Sequence, residues 1–145
     1  MSFVNPRKLN KRPALCHHVG IFVHDLKKMS DFYTRRLGFC FEREYQADEK
    51  IMKIIFGINA ACLIRYYLRD GFRIELFYFL RQPLNRRTQK ILGLNHWALV
   101  VDDRAGFCRD LKKKGAPVIK IVKPSGEFTL FTKDPESNLI EIRDG

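Results

Sequence analysis

Apolar positions in this chain recur with two different periods, and the switches between them mark out its elements. Residues 15–23 are largely apolar around a single glycine and read as a strand. Asp25 follows as an N-cap residue. Leu26, Met29, Phe32, Tyr33 and Leu37 then fall on one face of a helix, which Gly38 ends. Arg35 and Arg36 lie in its last turn, where cations suit the helix dipole. Residues 39–45 predict a strand, 48–56 a short helix ended by Gly57, and 60–68 and 72–79 two strands joined at Arg69-Asp70-Gly71. Residues 81–92 are polar and basic, with Pro83 among them. After them the pattern restarts. Residues 95–101 read as a strand, and Asp102 or Asp103 can cap a helix that carries Phe107 and Leu111 and stops at Gly115. Strands follow at 117–122, 127–132 and 138–143. The predicted class is α+β: two β-α-β-β-β modules, at 14–80 and 93–145, with a basic leader at 1–13 and a linker at 81–92.

The repeat is also visible in the letters. His18-Val-Gly-Ile-Phe-Val-His-Asp25 matches His96-Trp-Ala-Leu-Val-Val-Asp-Asp103, and Ile74-Glu75-Leu76 matches Ile140-Glu141-Ile142. Because strand side chains alternate, His18, Gly20 and Phe22 share one face, and His96, Ala98 and Val100 share the corresponding one. Each histidine is followed two residues on by a small one, which predicts room for a ligand above the sheet. Glu75 and Glu141 each interrupt an apolar strand, where a carboxylate is costly unless it is paired or binds a metal. Two imidazoles and two carboxylates at repeated places predict one divalent metal held by His18, Glu75, His96 and Glu141. That nitrogen and oxygen set suits Ni, Co, Zn, Fe or Mn, and the absence of a thiolate argues against a structural zinc site. His17, next to His18, is expected on the opposite face and outside the site, and His24 at the strand-to-helix turn. Arg73, two residues before Glu75, is a candidate contact for an anionic substrate.

Composition narrows the class. The chain has 145 residues, 46% hydrophobic and 30% charged, a globular balance. No apolar run approaches the roughly 20 residues that span a bilayer, and no apolar segment of a signal peptide follows the leader. The four cysteines form no C-x-x-C pair; Cys40, Cys62 and Cys108 lie in apolar segments and are expected to be reduced and buried. These features predict a cytoplasmic protein with no membrane partner. The net charge of +11 is spread over the leader, Arg35-Arg36, Arg86-Arg87 and Lys112 to Lys114 without a nucleic-acid-binding motif. It is read as a solvated face that also draws anionic metabolites, not as a nucleic-acid surface.

Several segments together resemble the vicinal oxygen chelate superfamily, which includes glyoxalase I, epimerases, extradiol dioxygenases, and fosfomycin and bleomycin resistance proteins. They are the His18 to Leu26 string, Asp-Phe-Tyr-Thr-Arg-Arg-Leu-Gly-Phe, Ile-Glu-Leu, Asn-His-Trp-Ala-Leu-Val-Val-Asp-Asp, and Phe-Thr-Lys-Asp-Pro-Glu-Ser-Asn-Leu-Ile-Glu-Ile. The resemblance covers residues 15–143. It implies paired βαβββ modules forming a curved mixed sheet around a metal cleft, commonly in a homodimer, with the metal residues falling on His18, Glu75, His96 and Glu141. The filled set of four resembles glyoxalase I and the epimerases, and implies a lyase or isomerase acting on a hemithioacetal of an aldehyde and a thiol such as glutathione. By that resemblance Glu141 precedes Glu75 as the base. The alternatives are an epimerase, a thiol transferase, or a non-catalytic protein that sequesters a small molecule. Ser137 stands where the family usually has Gly, which implies an altered loop before the last strand.

Overall fold

A computed structural model describes residues 16–81 and 93–145. The leader and nearly all of the linker lie outside the described residues. The first module contains β1 (His18–Val23), α1 (Leu26–Asp31), β2 (Cys40–Ala47), α2 (Glu49–Phe56), β3 (Cys62–Arg69) and β4 (Phe72–Phe79). The second contains β5 (His96–Val101), α3 (Arg104–Lys113), β6 (Val118–Val122), β7 (Phe128–Lys133) and β8 (Leu139–Asp144). Each module builds its own four-stranded mixed sheet, in the orders β1-β4-β3-β2 and β5-β8-β7-β6. In both, the first strand pairs in parallel with the last.

Local chemistry sets the boundaries. Asp25 caps α1 by accepting from the Lys28 amide, Asp48 caps α2 through Ile51, and Asp103, not Asp102, caps α3 through Gly106. The predicted first helix reaches its expected length by continuing past α1 as a wider π turn, Phe32–Arg36. The β3–β4 hairpin turns on Asp70 and Gly71, with φ of 48° and 80°. Two consecutive left-handed residues make the tight turn whose twist matches the strands it joins.

The two sheets share one apolar core. Val23, Ile74 and Leu76 from the first sheet meet Leu99, Ile140 and Ile142 from the second, with Met29, Phe32 and Tyr33 between them. Trp97 of β5 lies against Tyr33, Phe39 and Phe72. Polar contacts lock the modules as well. The Tyr33 hydroxyl donates to Asp134 Oδ2 at 2.9 Å, and Glu136 Oε1 accepts from the His24 and Asp25 amides at 2.7 and 2.6 Å. His24 therefore sits at an intermodule junction.

Two of the four cysteines differ in setting from the other two. Cys62 and Cys108 are buried, and burial raises the Cys62 thiol to about 11. Cys40 is exposed, contrary to the expectation from its apolar neighbours, because it opens an edge strand whose side chains mostly face solvent. No helix among the described residues is long and apolar enough to cross a membrane.

Candidate metal site

The parity read from the letters holds in three dimensions. Gly20 pairs with Glu75 across β1 and β4, and Ala98 pairs with Glu141 across β5 and β8. Both His–Glu pairs lie on the sheet face opposite the shared core. His18 Nδ1 is 3.7 Å from Glu75 Oε1, and His96 Nε2 is 3.5 Å from Glu141 Oε2. Glu75 is only 8% exposed, and His18 is its sole ion-pair partner among the described residues. A nearly buried carboxylate beside an imidazole is a donor pair that suits a cation.

The four residues do not converge within one chain. Among the described residues no three His, Cys, Asp or Glu side chains are placed to hold a metal ion. The structure brings them together as two separate His–Glu pairs. The reason is the common core: it draws the inner faces of both sheets together, so each pair rides on a face turned away from it.

Neighbouring groups orient the imidazoles. Asn95 Oδ1 accepts from His96 Nδ1, which leaves the Nε2 lone pair toward Glu141. His17 departs from expectation. It precedes β1, so strand alternation does not govern it, and its Nδ1 is 2.8 Å from His18 Nδ1. Arg73 approaches His17 Nε2 at 3.1 Å; an arginine only donates, so His17 Nε2 accepts, and His17 Nδ1 carries the proton that His18 accepts.

Arg73 is on the predicted face but is already engaged. It holds Glu42 through two bonds of 2.8 and 2.7 Å. That pairing lowers the Glu42 carboxyl and raises the Arg73 guanidinium. The predicted space above Gly20 is also filled: a Cβ there would meet the Phe77 ring at 3.2 Å.

Several neighbours escaped the sequence reading. Tyr66 stands opposite Glu75 and Phe131 opposite Glu141. Burial, a hydrogen bond with Tyr45 and the charge of Glu75 all raise the Tyr66 phenol. The Phe131 ring meets His96 edge-on at 5.6 Å. Arg143 Nη1 is 3.4 Å from Glu141 Oε1. Alternation alone places Arg143 with Glu141; the partners from β3 and β7 required the register between strands.

The family model of the Glyoxalase/Bleomycin resistance protein/Dioxygenase superfamily matches residues 15–142, and the chain belongs to that superfamily. Solved structures share the fold. A glyoxalase family protein from Enterococcus faecalis is 24% identical with a TM-score of 0.70, over 88% of this chain and 95% of that one. The trypanothione-dependent glyoxalase I of Leishmania major is 24% identical with a TM-score of 0.63, over 91% and 87%. The fosfomycin resistance protein FosX of Listeria monocytogenes is 16% identical with a TM-score of 0.63, over 92% and 95%. No curated protein matches the chain.

Proposed function

We propose that this protein is a metal-dependent, glyoxalase I-like lyase or isomerase whose site forms when a second copy joins the two half-sites. The observation that carries this reading is the repeated His–Glu pair, at 3.7 and 3.5 Å, on faces turned away from the core. In a symmetric dimer, His18 and Glu75 of one copy meet His96 and Glu141 of the other, which gives two equivalent sites and one metal per chain. Apolar side chains exposed on these faces favour such an interface: Phe22 on the first, and Val100 and Ile121 on the second.

His18, Glu75, His96 and Glu141 would hold the cation as two neutral nitrogens and two carboxylates. A divalent cation bound there supplies Lewis acidity to the vicinal oxygens of a substrate. Glu141, as general base, takes the proton from the carbon bearing the thiol and oxygen of a hemithioacetal and returns it to the adjacent carbon; the step balances with no oxidant or reductant. Asn95 fixes the His96 tautomer, and Arg143 steers Glu141. Glu75, the more deeply buried of the two carboxylates, serves as a ligand.

The deciding experiment loads purified protein singly with Ni²⁺, Co²⁺, Zn²⁺ or Mn²⁺, measures metal content, and follows thioester formation from methylglyoxal and glutathione. Turnover with about one metal per chain is the expected result. Metal binding without turnover redirects the reading to an epimerase or thiol transferase of the same superfamily. Protein that remains metal-free fits a small-molecule-sequestering protein.

A further inference from the structure

A β-bulge beside the first half-site changes which cation faces a substrate. The β2–β3 register shifts between Phe41 and Arg43, which leaves Glu42 as the extra residue. Consecutive strand residues normally point to opposite faces. Here Glu42 reaches Arg73 and Arg43 lies over Tyr66, so both serve the face that carries His18 and Glu75. Glu42 neutralises Arg73. Arg43, in contrast, has no carboxylate within 4 Å among the described residues; its guanidinium carbon sits 4.4 Å from the centre of the Tyr66 ring. The Tyr45 ring stacks on Tyr66 from the same strand as Arg43, at 5.8 Å. The guanidinium is thus backed by an aromatic face, with its donors left for a ligand.

The other module supplies the contrast. The cross-sheet row Arg43–Tyr66–Glu75 corresponds to Ile119–Phe131–Glu141. The same positions are polar and cationic in one half-site and wholly apolar beyond the glutamate in the other.

We propose that Arg43, turned onto this face by the bulge and stacked on Tyr66, is the recognition point for a carboxylate on the substrate. This rests on reading the His18–Glu75 face as the substrate site. Arg43 stands two strands from Glu75, roughly 10 Å at the usual strand spacing. The class of substrate is therefore a small molecule whose reacting oxygens lie at the His–Glu pair and whose carboxylate lies several bonds away. A single guanidinium matches a monoanion in charge and in its two-pronged geometry.

Phenylacetate and phenylacetamide, alike in shape and different in charge, test this on the ¹⁵N-labelled full chain by NMR titration. Phenylacetate should shift the amides of Arg43, Tyr45 and Tyr66, and should bind about tenfold more tightly than phenylacetamide. Arg43→Met should abolish that preference without changing phenylacetamide binding, and Arg43→Lys should retain part of it. Arg65→Met, which removes a cation paired with Glu44, should leave it intact. Equal binding of the two probes by the unaltered protein, or a preference that survives Arg43→Met, overturns the proposal. The titration needs neither metal nor turnover. A protein inert toward hemithioacetals that still selects phenylacetate through Arg43 keeps this inference and loses the proposed reaction; an active enzyme with no such preference does the reverse.

Discussion

Replacing Tyr33 with Phe removes one oxygen from the lock between the modules and little else. The ring is fully buried, and Phe fills the same space, so no cavity opens. What disappears is the 2.9 Å hydrogen bond to Asp134 Oδ2. Asp134 keeps three donors: the amides of Glu136 and Asn138 at 3.0 and 2.9 Å, and Asn138 Nδ2 at 2.8 Å. The carboxylate is weakened but not orphaned, so the loss should be about 2 kcal/mol when it is charged, within the range for a hydrogen bond to an ionised group. In a domain of this size that lowers Tm by about 4–8 °C. The cost should also depend on pH. Burial raises the Asp134 pKa above the usual carboxylate value, opposed by the bonds from Asn138, Tyr33 and the Glu136 amide. A raised folded-state pKa gives a stability contribution that is complete below the unfolded pKa and is lost as pH rises through the folded one. Without the hydroxyl, Asp134 rises further, so Tyr33→Phe should cost most at neutral pH and about 1 kcal/mol where Asp134 is protonated, as for a neutral hydrogen bond. Urea unfolding of both proteins at pH 7.5 and pH 4 measures the difference. No loss at pH 7.5, or a loss that grows on acidification, would refute the reasoning.

Mixing His18→Ala with His96→Ala protein should restore metal and turnover to about a quarter of the sites, because only a heterodimer carries one intact pair of half-sites; sites confined to single chains would give no recovery in the metal assay. Glu141→Gln should keep much of its metal and lose about 10²–10⁴-fold in rate, with a smaller rate loss for Glu75→Gln, and undiminished turnover in a metal-loaded Glu141→Gln protein would place the base elsewhere. His17→Ala frees the His18 Nδ1 lone pair, so calorimetric titration should find metal affinity raised by about two- to tenfold, not lowered. Ser137 holds φ at 71°, in the left-handed region that glycine enters without strain, so Ser137→Gly should stabilise the protein by about 0.5–1 kcal/mol in urea unfolding.

The β-α-β-β-β order, its repeat and the two candidate His–Glu pairs were legible in the letters, because each is a matter of local pattern. Alternation placed His18 with Gly20 and Phe22, Asp25 marked the start of α1, Asp102 or Asp103 that of α3, and Asp70-Gly71 a tight turn. The resemblance marked Ser137 as standing where the family usually has Gly, and its φ of 71° keeps the left-handed conformation that glycine adopts freely. Tertiary structure decided everything that depends on register between strands or on packing between modules. Arg73 looked available to a substrate until the sheet placed Glu42 against it. Gly20 looked like open space until the sheet laid the Phe77 ring across it. Arg43 reads from simple alternation as facing away from the site, and only a bulge, invisible in the period of the sequence, reverses it. Above all, the repeat said that two His–Glu pairs exist but not where they lie relative to each other. The shared apolar core decides that: burying the inner faces of both sheets against the same helices sets each pair on the face turned away, so among the described residues the two pairs stay apart.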